Sequence, residues 1–357
     1  MQRRALITGI AGQDGSYLTE LLLGKGNYEV HGIVRCEQAA RQSLRASCGP
    51  INEDNLERLF IHDCDLLNQL ATTELVRRIA PDEIYNFAAQ SHVGASFDDP
   101  RATVDVIALG ALHLLDAARQ LNRFKDVRYY QASSCEQFGG DPNTVPQSET
   151  TSFHPRSPYA CAKAYAHYQA VNYREAHGLF ACCGILFNHE SPRRRETFVT
   201  RKITLAAARI REGLQDKLRL GNLDAMRDWG YAHDYVLAMW LMLQHDEPDD
   251  YVVATGETHS VRQFVEAAFD HVGLNYQKFV ETDARYLRPC DVELSRGDAS
   301  KAHARLAWRP ATDFHGLVEL MVDADVRKAR WEQSQTLVAG ADSNRLESGE
   351  NSQRRSA

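Results

Sequence analysis

The chain has 357 residues, which is enough for one large domain or two interlocked domains with an ample core. Hydrophobic residues make up 43% and charged residues 25%, a globular composition that argues against a largely disordered, collagenous or coiled-coil chain. The net charge of −7 argues against a general binder of nucleic acid. No apolar run has the length of a membrane span, and the first apolar run is too short for a signal peptide. We therefore expect a cytoplasmic protein whose partners include neither a membrane nor a nucleic acid.

Strand patterns alternate with helical patterns in the first half of the chain. In chain order we predict strand 5–8, helix 16–23, strand 29–35, strand 59–63, helix 69–79, strand 83–88, helix 102–121, strand 127–132, helix 159–175 and strand 180–187. A polar, irregular loop is expected between Cys36 and Leu59. The alternation predicts an α/β fold with a parallel, doubly wound Rossmann sheet, followed by a smaller, mixed α/β region.

The eight cysteines predict neither a disulfide framework nor a metal site, because none of them forms a C-x-x-C pair. Cys182 and Cys183 lie in an apolar run that is typical of a buried strand. Only Cys135 is a candidate for a functional role, for the reason given below.

A glycine-rich turn follows the first predicted strand. In Gly9-x-x-Gly12-x-x-Gly15 the glycines permit a tight turn and a close approach of the backbone to a pyrophosphate, and the helix N-terminus supplies unpaired N–H groups. A plain strand-to-helix turn would explain the triplet alone, but its place in a βαβ pattern favours a dinucleotide site. Gln13 and Asp14 lie within the turn and belong to the predicted site.

The end of the second strand indicates which dinucleotide is bound. Arg35 can pair with a 2′-phosphate, whereas an acidic residue would accept hydrogen bonds from a ribose diol. NADP is therefore favoured, and Glu37, two residues further on, keeps NAD as the alternative. Later strand ends add cofactor-binding candidates near the adenine and under the cofactor: Asp65, Leu66, Ala88, Ala89 and Gln90. For Asp65, a helix N-cap is an equally good interpretation.

Tyr159 and Lys163 lie four residues apart, on one face of a predicted helix. The lysine cation is expected to stabilise a phenolate and to lower the pKa of Tyr159 from about 10 towards neutrality. Such a phenolate can take a proton from a sugar hydroxyl. The spacing alone is common on solvent-facing helices, but the upstream glycine turn and Ser134 at the end of the fifth strand favour catalysis.

At these motifs the chain resembles the extended short-chain dehydrogenase/reductase family of NAD(P)-dependent epimerases and dehydratases, and within it the GDP-mannose 4,6-dehydratase group. The resemblance covers about residues 5 to 330. Six segments carry it: ALITGIAGQDGSYL at 5–18, IYNFAAQSH at 84–92, YQASSCE at 130–136, PRSPY at 155–159, LFNHESPRR at 186–194 and GNLDAMRDWG at 221–230.

The resemblance implies an NADP-dependent hydro-lyase that converts GDP-mannose into GDP-4-keto-6-deoxymannose. It implies that Tyr159 is the base at the C4 hydroxyl, that Lys163 assists it and binds the nicotinamide ribose, and that Ser134 supplies the family's hydroxyl. Glu136 would remove the C5 proton once C4 is a ketone, and water would leave from C6 before hydride returns there. The implied homo-oligomer is a dimer or a tetramer.

Further residues take binding roles through the same resemblance. His189 and Arg194 would contact the cofactor, and the implied GDP-sugar ligands are Asn188, Lys202, Arg227 and Arg288. A solvated charge run at 193–195 and a surface position for Arg288 are the alternative interpretations.

Cys135 departs from the family pattern, which has serine or aspartate between the hydroxyl residue and the glutamate. A thiol can still donate a proton to the leaving 6-hydroxyl, although weakly, and mere filling of space is the alternative. A cysteine here also resembles 5,6-dehydratases that stop at an enol ether. The alternative functions are therefore a 5,6-dehydratase, or a dehydratase of another GDP-sugar such as a GDP-heptose. A non-catalytic cofactor-binding protein is disfavoured by the intact residues Ser134, Glu136, Tyr159 and Lys163.

These assignments divide the chain into two domains. We assign residues 1–187 with 227–256 to the NADP-binding Rossmann domain, and residues 188–226 with 257–331 to the sugar-nucleotide domain. Residues 332–357 are rich in Ser, Gln, Asn, Gly and Arg and poor in large apolar side chains, so we expect a disordered tail.

Overall fold

The computed structural model describes residues 2–47, 57–286, 290 and 292–353, with side chains described to residue 335. The strands are β1 Arg3–Thr8, β2 Tyr28–Val34, β3 Leu59–Asp63, β4 Glu83–Asn86, β5 Arg128–Ser134, β6 Phe180–Leu186, β7 Asn188–Glu190, β8 Leu218–Leu220, β9 Met226–Arg227, β10 Trp229–Tyr231, β11 Asp250–Val253, β12 His259–Ser260 and β13 Val280–Thr282. The helices are α1 Gln13–Gly24, α2 Glu37–Ser47, α3 Gln69–Ile79, α4 Val93–Asp98, α5 Pro100–Val104, α6 Gly110–Leu121, α7 Pro158–His177, α8 Val199–Arg211, α9 Ala232–Met242, α10 Val261–His271, α11 Ser300–Leu306 and α12 Phe314–Gln353.

Seven of these strands form one parallel sheet in the order β11-β6-β5-β4-β1-β2-β3. Alternate residues of a strand point to opposite faces, and β1 shows the consequence. Ala5 and Ile7 pack with α1 and α9 in one apolar core, whereas Leu6 packs with α3 and α6 in another. Burial on both faces explains the nearly continuous apolar strands, and the predicted parallel doubly wound sheet is confirmed.

A separate apolar core lies in the C-terminal half. It is formed by α8, α10 and α12 with Trp229, Phe264 and Met321 among its buried side chains. Three short strand pairs accompany it, β7 with β10, β9 with β12 and β8 with β13. Helix α11 and the Trp308 that follows it were assigned to the sugar-nucleotide domain. Ala302 and Leu306 of the helix, together with Trp308, pack in the first core. The two-domain division remains a prediction.

Two expectations need correction. The loop expected after Cys36 contains α2, which forms because Ala40 and Leu44, one turn apart, are both buried. The helix expected at 102–121 is interrupted by a π-helical turn at Asp105–Leu109. Helix α12 runs from Phe314 to Gln353, and Glu332 within it pairs with Arg209 at 2.8 Å. The disordered tail expected from residue 332 stays a prediction. Residues 354–357 and 48–56 lie outside the described residues.

None of the described helices combines the length and the apolar character that a membrane crossing requires.

Candidate active site

A cavity of about 580 Å³ opens at the carboxyl ends of the sheet strands, where ligands bind in doubly wound folds. The candidates that line it are Asp14, Ala89, Ser134, Cys135, Glu136, Tyr159, Lys163, Asn188, His189, Arg194, Lys202 and Arg227. The candidates that do not line it are Gly9, Gly12, Gln13, Gly15, Arg35, Asp65, Leu66, Ala88 and Gln90. Arg288 lies outside the described residues.

The glycine turn forms a cradle that side chains would fill. Gly9 has φ +67°, and a Cβ on Gly15 would lie 2.5 Å from the Gly9 carbonyl oxygen. Gly12 is the N-cap of α1, and no side chain caps the helix there. An uncapped helix N-terminus behind a turn without side chains fits the pyrophosphate of a dinucleotide.

Thr8, which was not predicted to belong to the site, holds the backbone at the end of β4 beside this turn. Its hydroxyl donates to Asn86 Oδ1 at 2.7 Å and accepts from the backbone N–H groups of Phe87 and Ala88 at 3.0 Å. Gln90 holds the next turn by accepting from the His92 N–H at 2.6 Å. These bonds fix the backbone that we expect under the cofactor.

Asp14 and His189 join the glycine turn to β7. His189 Nε2 lies 3.0 Å from the Asp14 carboxylate, and Nδ1 hydrogen-bonds the Phe187 carbonyl at 2.8 Å. Burial alone would lower the pKa of His189, but the charge of Asp14 and its hydrogen bond together outweigh burial, so this pKa is raised. For Asp14 burial is likewise outweighed, here by His189, and its pKa falls to about 2. Gln13 adds to the junction by donating to the His189 carbonyl at 3.0 Å.

Tyr159 and Lys163 share one face of α7, as predicted, but Lys163 does not touch the phenol oxygen. Lys163 Nζ donates to the Ala132 carbonyl at 2.7 Å and lies 5.9 Å from the centre of the Tyr159 ring. Burial raises the pKa of Tyr159, against a hydrogen bond from Ser134 that lowers it. Burial also lowers the pKa of Lys163 to about 8, with the Asp14 charge acting the other way. The predicted lowering of the Tyr159 pKa is therefore not found, because desolvation of the phenolate dominates.

Ser134, Cys135 and Glu136 turn sharply out of β5 into the cavity. Ser134 is the N-cap of the 3₁₀ turn Cys135–Phe138 and accepts from the Glu136 N–H at 3.3 Å. Cys135 is buried, and burial first and the Glu136 charge second raise the pKa of its thiol to about 12. The thiol is therefore protonated near neutral pH, and the half-buried Glu136 carboxylate lies beside it.

Basic and amide groups line the other end of the cavity. Lys202 Nζ donates to the Arg219 carbonyl at 2.6 Å and lies 3.6 Å over the Tyr286 ring. Asn188 Oδ1 is buried without a hydrogen-bond partner in the described part of the chain. Arg194 Nε lies 3.1 Å from the Glu190 carboxylate. The two cations suit a diphosphate, and the Asn188 Oδ1 can accept from a sugar hydroxyl.

The charge run at 193–195 is only partly solvated. The Arg193 guanidinium packs 3.8 Å over the Tyr17 ring and pairs with Glu20 at 2.7 Å, so this residue ties the segment to α1. Several other side chains also line the cavity and were not predicted from the sequence, among them His92, Phe198, Trp229, Arg285 and Tyr286. Arg285 and Tyr286 lie three and two residues before the predicted ligand Arg288, and this proximity in sequence was the available signal.

None of the adenine-side candidates lines the cavity, and two of them, Arg35 and Asp65, are exposed. Arg35 is exposed just after β2, and Glu37 is paired with Arg41 at 2.7 Å. Asp65 is exposed and accepts from the Leu67 N–H at 3.0 Å. The N-cap interpretation of Asp65 is wrong, because Asn68 caps α3. Leu66 is buried.

Known proteins resemble this chain over most of its length. A family model described as GDP-mannose 4,6 dehydratase matches residues 6–321. The GDP-mannose 4,6 dehydratase 2 of Arabidopsis thaliana is 56% identical over 333 residues, which are 92% of this chain and 88% of that protein. The solved UDP-glucose 4-epimerase of Thermus thermophilus, in complex with NAD, superposes with a TM-score of 0.75 at 29% identity, covering 90% of this chain and 98% of that chain. RMD from Pseudomonas aeruginosa, complexed with NADPH, shares the fold with a TM-score of 0.72 at 23% identity, covering 91% and 100%.

Proposed function

The chain belongs to the GDP-mannose 4,6-dehydratase family, and on this premise we propose that it is a hydro-lyase that converts GDP-mannose into GDP-4-keto-6-deoxymannose. One observation carries the proposal: a single cavity brings together the hydroxyl, phenol, ammonium and carboxylate groups that this reaction needs, on Ser134, Tyr159, Lys163 and Glu136. The family match gives no support to a 5,6-dehydratase or to a different GDP-sugar.

A nicotinamide cofactor belongs to this reaction, and when bound it accepts hydride from C4 and returns it to C6. The glycine turn would hold its pyrophosphate, and Asp14, His189 and Lys163 would surround its nicotinamide end. We propose NADP, because the exposed Arg35 guanidinium can pair with a 2′-phosphate. Glu37, the residue that would favour NAD, is already paired with Arg41.

The chain's own side chains divide the proton transfers between them. Tyr159 takes the C4 hydroxyl proton, and Ser134 lines the same cavity. Lys163, anchored on the Ala132 carbonyl, places its cation near the developing phenolate. Glu136 takes the C5 proton after C4 is oxidised, and Cys135 gives a proton to the departing 6-hydroxyl. At the opposite end Asn188, Lys202 and Arg227 hold the GDP-sugar, with Arg288 as a further proposed ligand.

We also propose a homodimer or homotetramer. Apolar side chains stand exposed on neighbouring helices, Val104 and Leu109 on the α5 side and Tyr165 and Tyr168 on α7. A second copy would remove them from water. The cytoplasmic location stays a prediction.

The decisive experiment incubates the protein with NADP and GDP-mannose and follows the products by NMR. We expect loss of GDP-mannose, a ketone at C4 and a methyl group at C6, with no net consumption of cofactor. In deuterated water Glu136→Gln should still oxidise C4 but incorporate no deuterium at C5, whereas Tyr159→Phe should fail at oxidation. A product with a 5,6 double bond, or turnover of other GDP-sugars but not GDP-mannose, would overturn the proposal.

The cofactor proposal is tested by titration. Arg35→Ala should weaken NADP binding about tenfold or more and leave NAD binding nearly unchanged, because only NADP has the 2′-phosphate. Glu37→Ala is the matched control and should leave the preference for NADP in place. Tighter binding of NAD than of NADP by the parent protein would contradict the proposal.

A further inference from the structure

Two consecutive residues of β5 are tied to two successive turns of α7. The Ala132 carbonyl accepts from Lys163 Nζ at 2.7 Å, and Ser133 Oγ lies 3.0 Å from His167 Nδ1. Tyr159, Lys163 and His167 are spaced by four, so they form one stripe along α7. Lys163 and Tyr159 already have proposed roles in the reaction, whereas His167 has none.

His167 is buried between charged groups of neighbouring elements. Its Nε2 lies 3.8 Å from Asp250 Oδ2 on β11, and Arg174 on α7 pairs with both oxygens of Asp250 at 3.0 Å. Burial lowers the pKa of His167, with Asp250 opposing this shift and Arg174 adding to it. The imidazole is therefore neutral near pH 7 and carries one N–H.

The surroundings select which nitrogen carries this hydrogen. The carboxylate nearest to Nε2 favours the hydrogen there, which leaves Nδ1 as an acceptor. The Ser133 hydroxyl must then donate to Nδ1, because two acceptors cannot face each other at 3.0 Å. Ser133 also lines the cavity.

A metal site is the other interpretation of this cluster. Ligand atoms of His167, Cys183 and Asp250 lie within 4.8 Å of one another. However, the Arg174 guanidinium already occupies both oxygens of Asp250. A divalent cation would have to share that carboxylate with a guanidinium, so the cluster suits a hydrogen-bonded chain better.

We propose that His167 is a positioning residue for the reaction, a role that rests on the proposed function. By accepting the Ser133 hydrogen bond it holds the end of β5 in register with α7. Ser134, Cys135 and Glu136 follow directly, and their distances from Tyr159 and Lys163 depend on that register. Because a misplacement of about 1 Å can cost about 10²-fold in rate, loss of this bond should lower kcat more than it changes KM.

Two substitutions at His167 distinguish the roles of the two imidazole nitrogens. The Asn side chain places its amide near Nδ1, and the Gln side chain places its amide near Nε2. His167→Asn should keep the bond to Ser133 and keep kcat within about threefold of the parent value, whereas His167→Gln should lose about tenfold or more in kcat. In both, KM for GDP-mannose should change by less than about threefold, since no substrate contact is removed.

Ser133→Ala provides a second route to the same bond. Ser133→Ala should lower kcat as His167→Gln does. The variant that combines Ser133→Ala with His167→Gln should lose no more kcat than either single variant, because the two side chains act through one interaction. Thermal unfolding of every variant is measured alongside. If either histidine variant does not fold, Ser133→Ala decides, and parental kcat in that variant overturns the proposal. Equal losses in His167→Asn and His167→Gln, or parental kcat in both, also overturn it.

A spectroscopic measurement separates this inference from the proposed function. In protein labelled with ¹⁵N-histidine, the His167 ring should show a protonated Nε2 and an unprotonated Nδ1 at pH 7, and Ser133→Ala should shift the Nδ1 signal. This result is expected even if GDP-mannose is not the substrate. A protonated Nδ1, or a signal unmoved by Ser133→Ala, contradicts the inference, whereas an inactive parent protein contradicts only the proposed function.

Discussion

The side chain of Cys135 is the clearest departure of this chain from its family's pattern. The thiol lies in the cavity between Ser134 and Glu136, and its pKa of about 12 keeps it protonated. A protonated group beside the leaving hydroxyl can supply the proton that water loss requires. The raised pKa also makes the thiol a weaker acid than a free cysteine, so the donor role depends on its position.

Cys135→Ala should therefore slow water loss by about 10²-fold and leave cofactor binding intact. Cys135→Ser should recover part of the rate, because a hydroxyl restores a donor of similar size. Single-turnover measurement of C4 oxidation and of water loss distinguishes the affected step. If Cys135→Ala matches the parent rate, the side chain only fills space beside β5.

The Asp14–His189 pair makes a pH-dependent contribution to stability. The His189 pKa is raised above 6.5, so its contribution is complete below that pH and is lost as pH rises through the raised value. The Asp14 pKa is about 2, so its contribution is complete above 3.8 and is lost as pH falls through 2. The pair thus stabilises the fold fully between pH 3.8 and 6.5.

We predict that His189→Gln lowers the free energy of unfolding by about 2 kcal/mol at pH 6, since it removes a charge-assisted hydrogen bond. The difference from the parent protein should shrink as pH rises towards 9. Urea unfolding of both proteins across this range measures it. Parallel stability curves for parent and variant would show that the pair does not titrate as described.

At the scale of elements, α12 holds the segment that follows β7. Asp325 on α12 is fully buried and pairs with Arg201 in the first turn of α8 at 2.6 Å. The Arg201 guanidinium also donates to the carbonyls of Pro192 and Arg194. The C-terminal helix thereby fixes the backbone that carries a proposed cofactor ligand.

Asp325→Ala should lower the free energy of unfolding by about 3 kcal/mol or more, because it leaves a nearly buried guanidinium without its carboxylate. Asp224→Ala is the matched control: it removes an exposed pair with Arg262, and should cost less than about 1 kcal/mol. Urea unfolding curves give both values. Equal losses would show that the buried pair contributes no more than a surface pair.

Elements with strong local signals could be predicted, and those that depend on distant partners could not. Strand 59–63 and helix 69–79 have the predicted bounds, because apolar periodicity and the Asn68 cap define them locally. Helix α2 was missed because few of its positions are apolar.

In the site, the positions of strand ends and the spacing of motifs were enough to predict that Ser134, Glu136 and Tyr159 share one cavity. The raised pKa of Tyr159 depends on burial, which the spacing of two residues does not reveal.

At the scale of the whole molecule, the exposed apolar side chains around α7 make assembly testable. Tyr168 is 56% exposed and Leu109 is 40% exposed. Tyr168→Glu combined with Leu109→Glu should convert the proposed oligomer into monomers, because charges would be buried without partners at the contact. Light scattering after size-exclusion chromatography measures the mass. Phe124→Glu, at an 89% exposed position beyond the end of α6, is the control and should not change it.

Trp308 completes the sheet's own core from a distant part of the sequence. This side chain is buried in that core, and its indole N–H donates to the Asp234 carbonyl at 2.8 Å. The Asp234 carboxylate in turn accepts from the N–H groups of Ala311 and Thr312. A fragment cut after residue 256 has every strand of the parallel sheet but lacks the indole and both amides. The parallel sheet therefore cannot be excised there as an independent module without leaving a hole against α9.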